Sequence, residues 1–147
     1  NENPRADFWK AGEPASKKTA RLASLGQSVA IATDAKTVAV GLEDGRVVYL
    51  ATADLTPLRE ATKVGQSTVG ALAYHPRGRY LACATYDSMG ADNLVVVDPL
   101  TGETPLRFAA DPSGITAVCF NADGSRMATF SGAGRVAIWD TSALAAN

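Results

Sequence analysis

The chain has 147 residues, of which 46% are hydrophobic and 20% charged, so it is long enough to bury a core and has a globular composition. Its 14 basic residues face 15 acidic ones, a balance that argues against a surface for nucleic acid. No apolar run approaches the roughly 20 residues needed to span a bilayer, and the first residues lack the apolar core of a secretory signal.

The first residues, 1–16, are polar and rich in proline and glycine. Two interpretations are open for them: a loosely ordered arm, or the end of a strand from a preceding unit, with Phe8 and Trp9 packed on the next unit. Because the chain opens on Asn1 in place of an initiator methionine, we expect that its natural start lies elsewhere.

Three later segments share one layout of alternating apolar residues, a short polar turn and a second apolar stretch. These segments are residues 29–41, 72–84 and 118–130. Val38, Leu81 and Met127 occupy the same place in them and lie 43 and 46 residues apart. A fixed period of this length indicates a repeat architecture.

A third strand follows in each repeat, at 46–50, 94–97 and 135–139, and a fourth begins twice with Thr-Pro-Leu-Arg, at 56–59 and 104–107. Four short strands at this spacing are the signature of a propeller blade. We therefore predict an all-β fold of four-stranded antiparallel blades. The expected divisions are an arm at 1–16, repeats at 17–54, 55–100 and 101–140, and a tail at 141–147.

The third repeat resembles the WD-repeat family. Gly114–Phe120 is similar to the first inner strand of that family, and Asn121–Gly124 is similar to its common Ser-Pro-Asp-Gly turn. Val136–Asp140 ends in the signature Trp-Asp pair. The resemblance covers about residues 18–140 and implies three WD-type repeats that form part of a β-propeller.

The chain departs from the family in its polar residues. Family blades often link a His, a Ser or Thr, an Asp and a Trp by hydrogen bonds. The Asp is kept as Asp44, and in the second repeat as Asp87 or Asp92, whereas Gly65-Gln66 and Asp111-Pro112 replace the family's Gly-His pair. We therefore expect blades that depend more on apolar packing than on polar networks.

The sequence predicts no catalytic residue, no metal site and no cofactor, and hence not an enzyme. The only histidine, His75, lies in a turn beside a proline, where we expect a solvent-facing side chain and not a general base. Cys83 and Cys119 each lie in an apolar run, which predicts two buried, reduced thiols. Such thiols fit an intracellular, cytoplasmic protein.

Two surface segments are candidates for contacts with other proteins. Lys17, Lys18 and Arg21 form a small basic cluster, which we interpret as a charged strand edge, with contact to an acidic partner as the alternative. The loop 86–93 is longer than its counterparts at 42–45 and 131–134.

Loops at that place in the family commonly dock partners, and an exposed Tyr and Met suit a binding hot spot. The alternative is a tolerated surface insertion. The predicted protein-binding residues are Tyr86, Asp87, Met89, Asp92, Asn93 and Asp44.

Three blades are fewer than the 4 to 8 of closed propellers, so we expect two apolar blade faces that need a partner. The leading hypothesis is a non-catalytic scaffold in a larger intracellular assembly, part of a longer propeller protein, with other subunits or further blades as partners. The repeats and the turn at 74–78 also resemble those of cytoskeleton-associated propellers. The alternatives are ring closure by homo-oligomerisation and an enzyme or small-ligand binder at the central channel.

Overall fold

In a computed structural model, which describes residues 3–15 and 18–146, the chain forms four antiparallel sheets. A two-stranded sheet contains β1 (Arg5–Phe8) and β2 (Lys18–Arg21). Blade 1 contains β3 (Gly26–Ile31), β4 (Thr37–Leu42), β5 (Arg46–Ala51) and β6 (Thr62–Lys63). Blade 2 contains β7 (Val69–Tyr74), β8 (Leu81–Thr85), β9 (Leu94–Val97) and β10 (Leu106–Phe108). Blade 3 contains β11 (Ile115–Phe120), β12 (Arg126–Ser131) and β13 (Val136–Asp140), and the short helix α1 (Ser142–Ala145) follows it.

These sheets confirm the predicted all-β fold of antiparallel blades. The first strand of every blade shifts register near its start, between Gly26 and Ser28, between Val69 and Ala71, and between Ile115 and Ala117. A bulge of this kind bends the strand and changes which face the following side chains meet. Its recurrence at one place shows that the three blades repeat in backbone detail as well as in pattern.

The outer strands differ from the expectation. In blade 2, β10 begins at Leu106, inside the predicted segment. In blade 1 the predicted segment makes only one bridge, from Pro57 to Leu50, and the chain rejoins the sheet at Thr62 as β6. Pro57 lacks an N–H to donate to the ladder, so pairing at this edge is weak.

Blade 2 lies between its neighbours and buries both of its faces. Its residues Leu81, Cys83, Val95 and Val97 pack against the face of blade 1 that contains Tyr49. The alternate side chains of blade 2 pack against blade 3. They are Ala82, Ala84, Leu94 and Val96, which meet Ile115 and Met127. Burial on both faces explains why β9 is an unbroken apolar run.

The two-stranded sheet covers part of the far face of blade 1. Ala6, Ala20 and Leu22 pack on a cluster that contains Val40 and Leu42. The segment 1–16, for which two interpretations were open, thus contains a strand that pairs with β2. Trp9 is exposed, and Asn1, Glu2, Ser16, Lys17 and Asn147 lie outside the described residues.

Blade 3 is covered on one face only. Its outward side chains include Phe130, Val136 and Ile138, and the last two are 69% and 64% exposed. Cys119 belongs to this face and is exposed, whereas Cys83 is buried between blades 1 and 2. The expectation of two buried thiols is therefore wrong for Cys119, because its apolar strand has a neighbour on only one side.

The expectation of a solvent-facing His75 is also wrong, because its side chain is completely buried between blades 2 and 3. Its ring packs edge-on against Phe120 at 5.0 Å. The main-chain N–H of Arg77 donates to Nδ1 at 3.2 Å, so the proton of the neutral ring is on Nε2, which donates to the carbonyl of Gly124 at 3.2 Å. The turn folds back under the next blade, which local sequence does not reveal.

Candidate protein-binding face

The β4–β5 and β8–β9 connections lie at the same end of their blades, since alternate connections of an antiparallel sheet share an end. We call this end, formed by residues 43–45, 65–68, 86–93 and 109–114, the loop face. Thr68 joins two of these segments. Its hydroxyl donates to the carbonyl of Glu43 at 3.4 Å, and its carbonyl accepts from the N–H of Tyr86 at 3.0 Å.

Asp87 anchors the start of the long loop from inside. The Thr85 hydroxyl and the main-chain N–H of Gln66 both donate to its Oδ2, at 2.8 and 3.0 Å. A Cβ on Gly65 would lie 2.4 Å from that oxygen, so the close approach requires glycine. Asp87 and Thr85 keep two parts of the hydrogen-bonded network expected from the family, and a main-chain N–H stands where the family has a histidine.

Asn93 anchors the other end of the loop and is only 1% exposed. Its Nδ2 donates to the carbonyls of Asp87 and Asp111, and its Oδ1 accepts from the N–H of Ala110 at 2.9 Å. A buried amide with every group satisfied fixes the backbone around it. The loop 86–93 is therefore closed at its base by two buried polar side chains.

Tyr86 and Met89 are the apolar side chains that this base presents. Tyr86 is 47% exposed, and its ring lies so close to Gly70 that a Cβ there would come within 2.2 Å of it. Met89 is 93% exposed and has a φ of 60°, a left-handed conformation that is rare for a residue with a side chain. Its N–H donates to the carbonyl of Pro112 at 3.3 Å, which holds the tip of the loop.

Two predicted acidic residues lie exposed or half-exposed on the same face. Asp92 is exposed beside Met89 in the loop. Asp44 is half-buried in the shorter turn of blade 1, where the Nε of Arg46 donates to its Oδ2 at 2.9 Å. Hydrogen bonding from Arg46 lowers the pKa of Asp44, so this carboxylate is ionised and already paired.

The structure thus divides the six predicted binding residues into two groups. Tyr86, Met89 and Asp92 are exposed side chains of one loop, and Asp44 lies on the same face of the neighbouring blade. The side chains of Asp87 and Asn93 are buried and engaged within the protein. The polar atoms of these two side chains have internal partners and hold the loop, and their contact with a partner protein stays a prediction.

Sequence reasoning missed an ion pair at the next loop. Arg135 donates from Nε and a terminal nitrogen to the carboxylate of Asp111, at 2.7 and 2.8 Å. The hydrogen bonds from Arg135 hold the pKa of Asp111 well below its usual range, and the hydrogen bond from the N–H of Ser113 adds to this effect. The two partners are 24 residues apart in the sequence. Only their places in the repeat, Asp111 after β10 and Arg135 before β13, could have suggested the pair.

Blade 3 keeps a different part of the family's polar network. The indole N–H of Trp139 donates to the Thr129 hydroxyl at 2.9 Å, and the indole packs edge-on against Phe108 at 4.8 Å. The Asp111–Arg135 pair then ties the loop before β11 to the turn before β13. The polar links therefore differ between blades 2 and 3, while the apolar packing between them is shared.

In the part of the chain that the structure describes, no group of three or more metal-ligating side chains comes together. Within the same residues, no helix is long and apolar enough to cross a membrane.

Comparison with protein families identifies the class to which these blades belong. The family model described as WD domain, G-beta repeat matches residues 59–95 and 103–140, just over half of the chain. The chain therefore belongs to the WD-repeat family. No curated protein matches the chain.

The two matched segments run from the outer strand of one blade to the third strand of the next. The residues before 59 lie outside the match, although β3 to β6 have the same strand order as blade 2.

Proposed function

We propose that the chain is a non-catalytic scaffold that binds a partner protein through the loop face. WD-repeat proteins in general serve as scaffolds for protein interaction, and the family match supports this role. The proposed place of contact is Tyr86, Met89 and Asp92 of the long loop, with Asp44 at the edge of the same surface.

The observation that carries the proposal is the exposure of Met89, a large apolar side chain at the tip of a loop whose base is buried. Asp87 and Asn93 hold that base by hydrogen bonds. A partner would therefore meet an arrangement that is already ordered, which lowers the entropy lost on binding. Methionine and tyrosine both contribute large contact areas at interfaces.

Four of the side chains that could perform acid–base or nucleophilic chemistry, His75, Cys83, Asp87 and Asp111, have structural roles. His75 is buried with both ring nitrogens in hydrogen bonds. Cys83 is buried, and burial raises the pKa of its thiol, so it is not a thiolate nucleophile. Asp87 and Asp111 are held by internal partners. This supports a binding role over catalysis at these positions.

Site-specific photocrosslinking tests the loop proposal. A photoreactive amino acid replaces Met89 in the full chain, and in a matched control it replaces Leu58, an exposed apolar residue of the connection between β5 and β6. We expect a discrete cross-linked protein from position 89 that is lost when Tyr86→Ser is added. Equal products from positions 89 and 58, or no effect of Tyr86→Ser, would contradict the proposal.

A second proposal concerns the open face of blade 3: a further blade covers it, supplied by a longer chain, another subunit or a second copy. Val136, Ile138 and Phe130 are exposed together there. Among the described residues, no strand pairs with the free edge of β13. Exposed apolar groups of this kind are typical of an interface.

Light scattering on the isolated chain separates the sources of that blade. A discrete dimer that Ile138→Asp converts to monomer supports a second copy. A stable monomer in which Ile138→Asp has no effect on solubility argues against any need for a cover.

The cytoplasmic location and the cytoskeletal association remain proposals, which imaging of the tagged chain and co-sedimentation with actin filaments and microtubules would test.

A further inference from the structure

A cavity of about 380 Å³ lies at the end of blades 1 and 2 opposite the loop face. The β3–β4 turn, the β7–β8 turn and the β9–β10 connection surround it. The first two turns are in contact, since a Cβ on Gly78 would lie 2.7 Å from the Thr33 hydroxyl. Three arginines and one acidic residue line the cavity: Arg59, Arg77, Arg79 and Asp34.

Arg59 lies at this cavity with an unused hydrogen-bonding group. Its guanidinium carbon is 5.3 Å from the centroid of the Tyr49 ring, which positions the group by cation–π contact. Its Nε is buried, and no described residue accepts a hydrogen bond from it. A buried donor without an acceptor is uncommon in native structures.

Tyr74 provides a second orphaned group at the same cavity. Its hydroxyl is buried and has no hydrogen-bond partner among the described residues. Burial raises the pKa of this phenol well above its ordinary value, so the hydroxyl keeps its proton and can donate it. Arg59 and Tyr74 both line this cavity, and each carries one buried donor without an acceptor among the described residues.

The other two arginines are held at the rim and keep further donors. Arg77 donates one bond to the carbonyl of Ala145 at 2.7 Å. Arg79 donates from Nε to Asp98 at 3.2 Å, so one of the three positive charges is balanced. Asp34 is the acidic residue of the lining; it is exposed, and its Oδ1 accepts from the N–H of Lys36. The cavity remains positive, because only Arg79 forms an ion pair among the described residues and Arg59 and Arg77 do not.

We propose that this cavity, between the arginines of blades 1 and 2, binds a phosphate monoester. Planar guanidinium groups donate in pairs to phosphate oxygens, and a phosphate has three terminal oxygens for the donors of Arg59, Tyr74 and Arg79. A single carboxylate has only two oxygens for the same set. The source is either a phosphorylated side chain of a partner protein or a small phosphorylated molecule.

Titration of the ¹⁵N-labelled full chain, followed by NMR at the side-chain N–H of Arg59, tests the proposal. The probes are inorganic phosphate, a capped phosphoserine peptide, the same peptide with glutamate, and a nucleoside monophosphate, all at constant ionic strength. We expect saturable shifts with the phosphate probes and at least about tenfold weaker binding of the glutamate peptide, as one lost charged hydrogen bond would give. Tighter binding of the peptide or of the nucleotide identifies the source.

Matched variants locate the site. Arg59→Gln and Tyr74→Phe should each weaken phosphate binding about tenfold or more, the effect of removing one hydrogen bond to a charged group. Asp34→Asn should strengthen binding, because it removes a negative charge from the cavity. The amide keeps the oxygen that accepts from the N–H of Lys36. Arg107→Gln, an exposed position on β10 outside the cavity, should leave binding unchanged.

Three results would overturn the proposal: no saturable binding by any phosphate probe, equal losses in Arg59→Gln and Arg107→Gln, or equal binding of the phosphoserine and glutamate peptides. Thermal unfolding of each variant shows whether a loss comes from misfolding. Tyr74→Phe keeps the packed ring and removes only the hydroxyl, so it remains informative if Arg59→Gln is destabilised. The loop proposal is independent, because the cavity lies at the opposite end of the strands.

Discussion

Blades 2 and 3 have similar strands and turns but opposite surroundings. Every residue of β9 in blade 2 is buried, whereas in β13 of blade 3 the exposed residues alternate with half-buried ones. Both strands are apolar, and Val136 and Ile138 are no more polar than Val95 and Val97. The difference lies in the neighbours, because blade 2 has a sheet on each side and blade 3 has one.

The comparison shows that two equally apolar strands differ in burial when one has a packed sheet on each side and the other on one side only. In a solenoid or propeller each unit contributes its own stability plus the energy of its interfaces. Blade 2 has two such interfaces, and blade 3 has one. Substitutions made in one blade at a time therefore measure what an interface contributes.

The largest expected effect comes from removing side-chain volume between blades 2 and 3. Leu94→Ala empties a fully buried position and should lower the free energy of unfolding by about 2–5 kcal/mol. Ile138→Ala, on the open face, should change it by no more than about 0.5 kcal/mol. Urea unfolding followed by tryptophan fluorescence measures both. If Ile138→Ala costs as much as Leu94→Ala, blade 3 is covered in solution.

A glycine at the junction of the two blades should have the next largest effect. Gly124 has a φ of 77°, and a Cβ there would lie 2.0 Å from the Nε2 of buried His75. Gly124→Ala should therefore cost about 2–4 kcal/mol, from left-handed strain and overpacking together.

Gly134→Ala is the matched control, since Gly134 has a φ of 79° and open space around its Cα. It should cost only about 1–2 kcal/mol, the strain alone. Equal losses in thermal unfolding for the two variants would show that the His75 contact does not hold the blades together.

The sequence was sufficient to predict the blades, because alternating apolar residues and turn signals are local and recur three times. It also located the long loop, and it failed where a contact spans two blades. His75 is buried by the turn of the next blade, and Cys119 is exposed because its strand has no second neighbour. In the sequence Asn93 is a loop residue. Its hydrogen bond with the segment before β11 forms only in the folded chain, so the sequence does not predict its role.

A smaller effect on stability, which depends on pH, should come from the ion pair between Asp111 and Arg135. The pKa of Asp111 is lowered in the folded state, chiefly by hydrogen bonds from Arg135. A carboxyl whose pKa is lowered by folding stabilises the fold at pH values above its unfolded pKa, here 3.8. That stabilisation is lost as the pH falls below 3.8 towards the lower pKa of the folded state. Asp111→Asn should thus be less stable than the wild type at pH 7.

The stability gap between Asp111→Asn and the wild type should narrow as the pH falls from about 4 towards 2, which urea unfolding across this range measures. Asp92→Asn removes an exposed carboxylate from the loop of blade 2 and serves as the control. A gap for Asp111→Asn that stays constant with pH would show that the Arg135 pair does not contribute through its charge.

The smallest expected change in stability comes from substituting an exposed cysteine. The thiol reactivity of Cys119 and Cys83 reports how well blades 3 and 2 are covered. Cys119 on the open face should react with a thiol reagent in the folded chain, and Cys119→Ser should remove that reaction with little change in stability. Cys83 lies between blades 1 and 2 and reacts only when the fold opens, which for an ordinary domain stability makes its reaction at least about a thousandfold slower. Slower labelling of Cys119 at higher protein concentration would mean that a second copy covers blade 3. Slow labelling at every concentration would contradict the open face, because a thiol with one packed neighbour cannot be protected as well as a thiol with two.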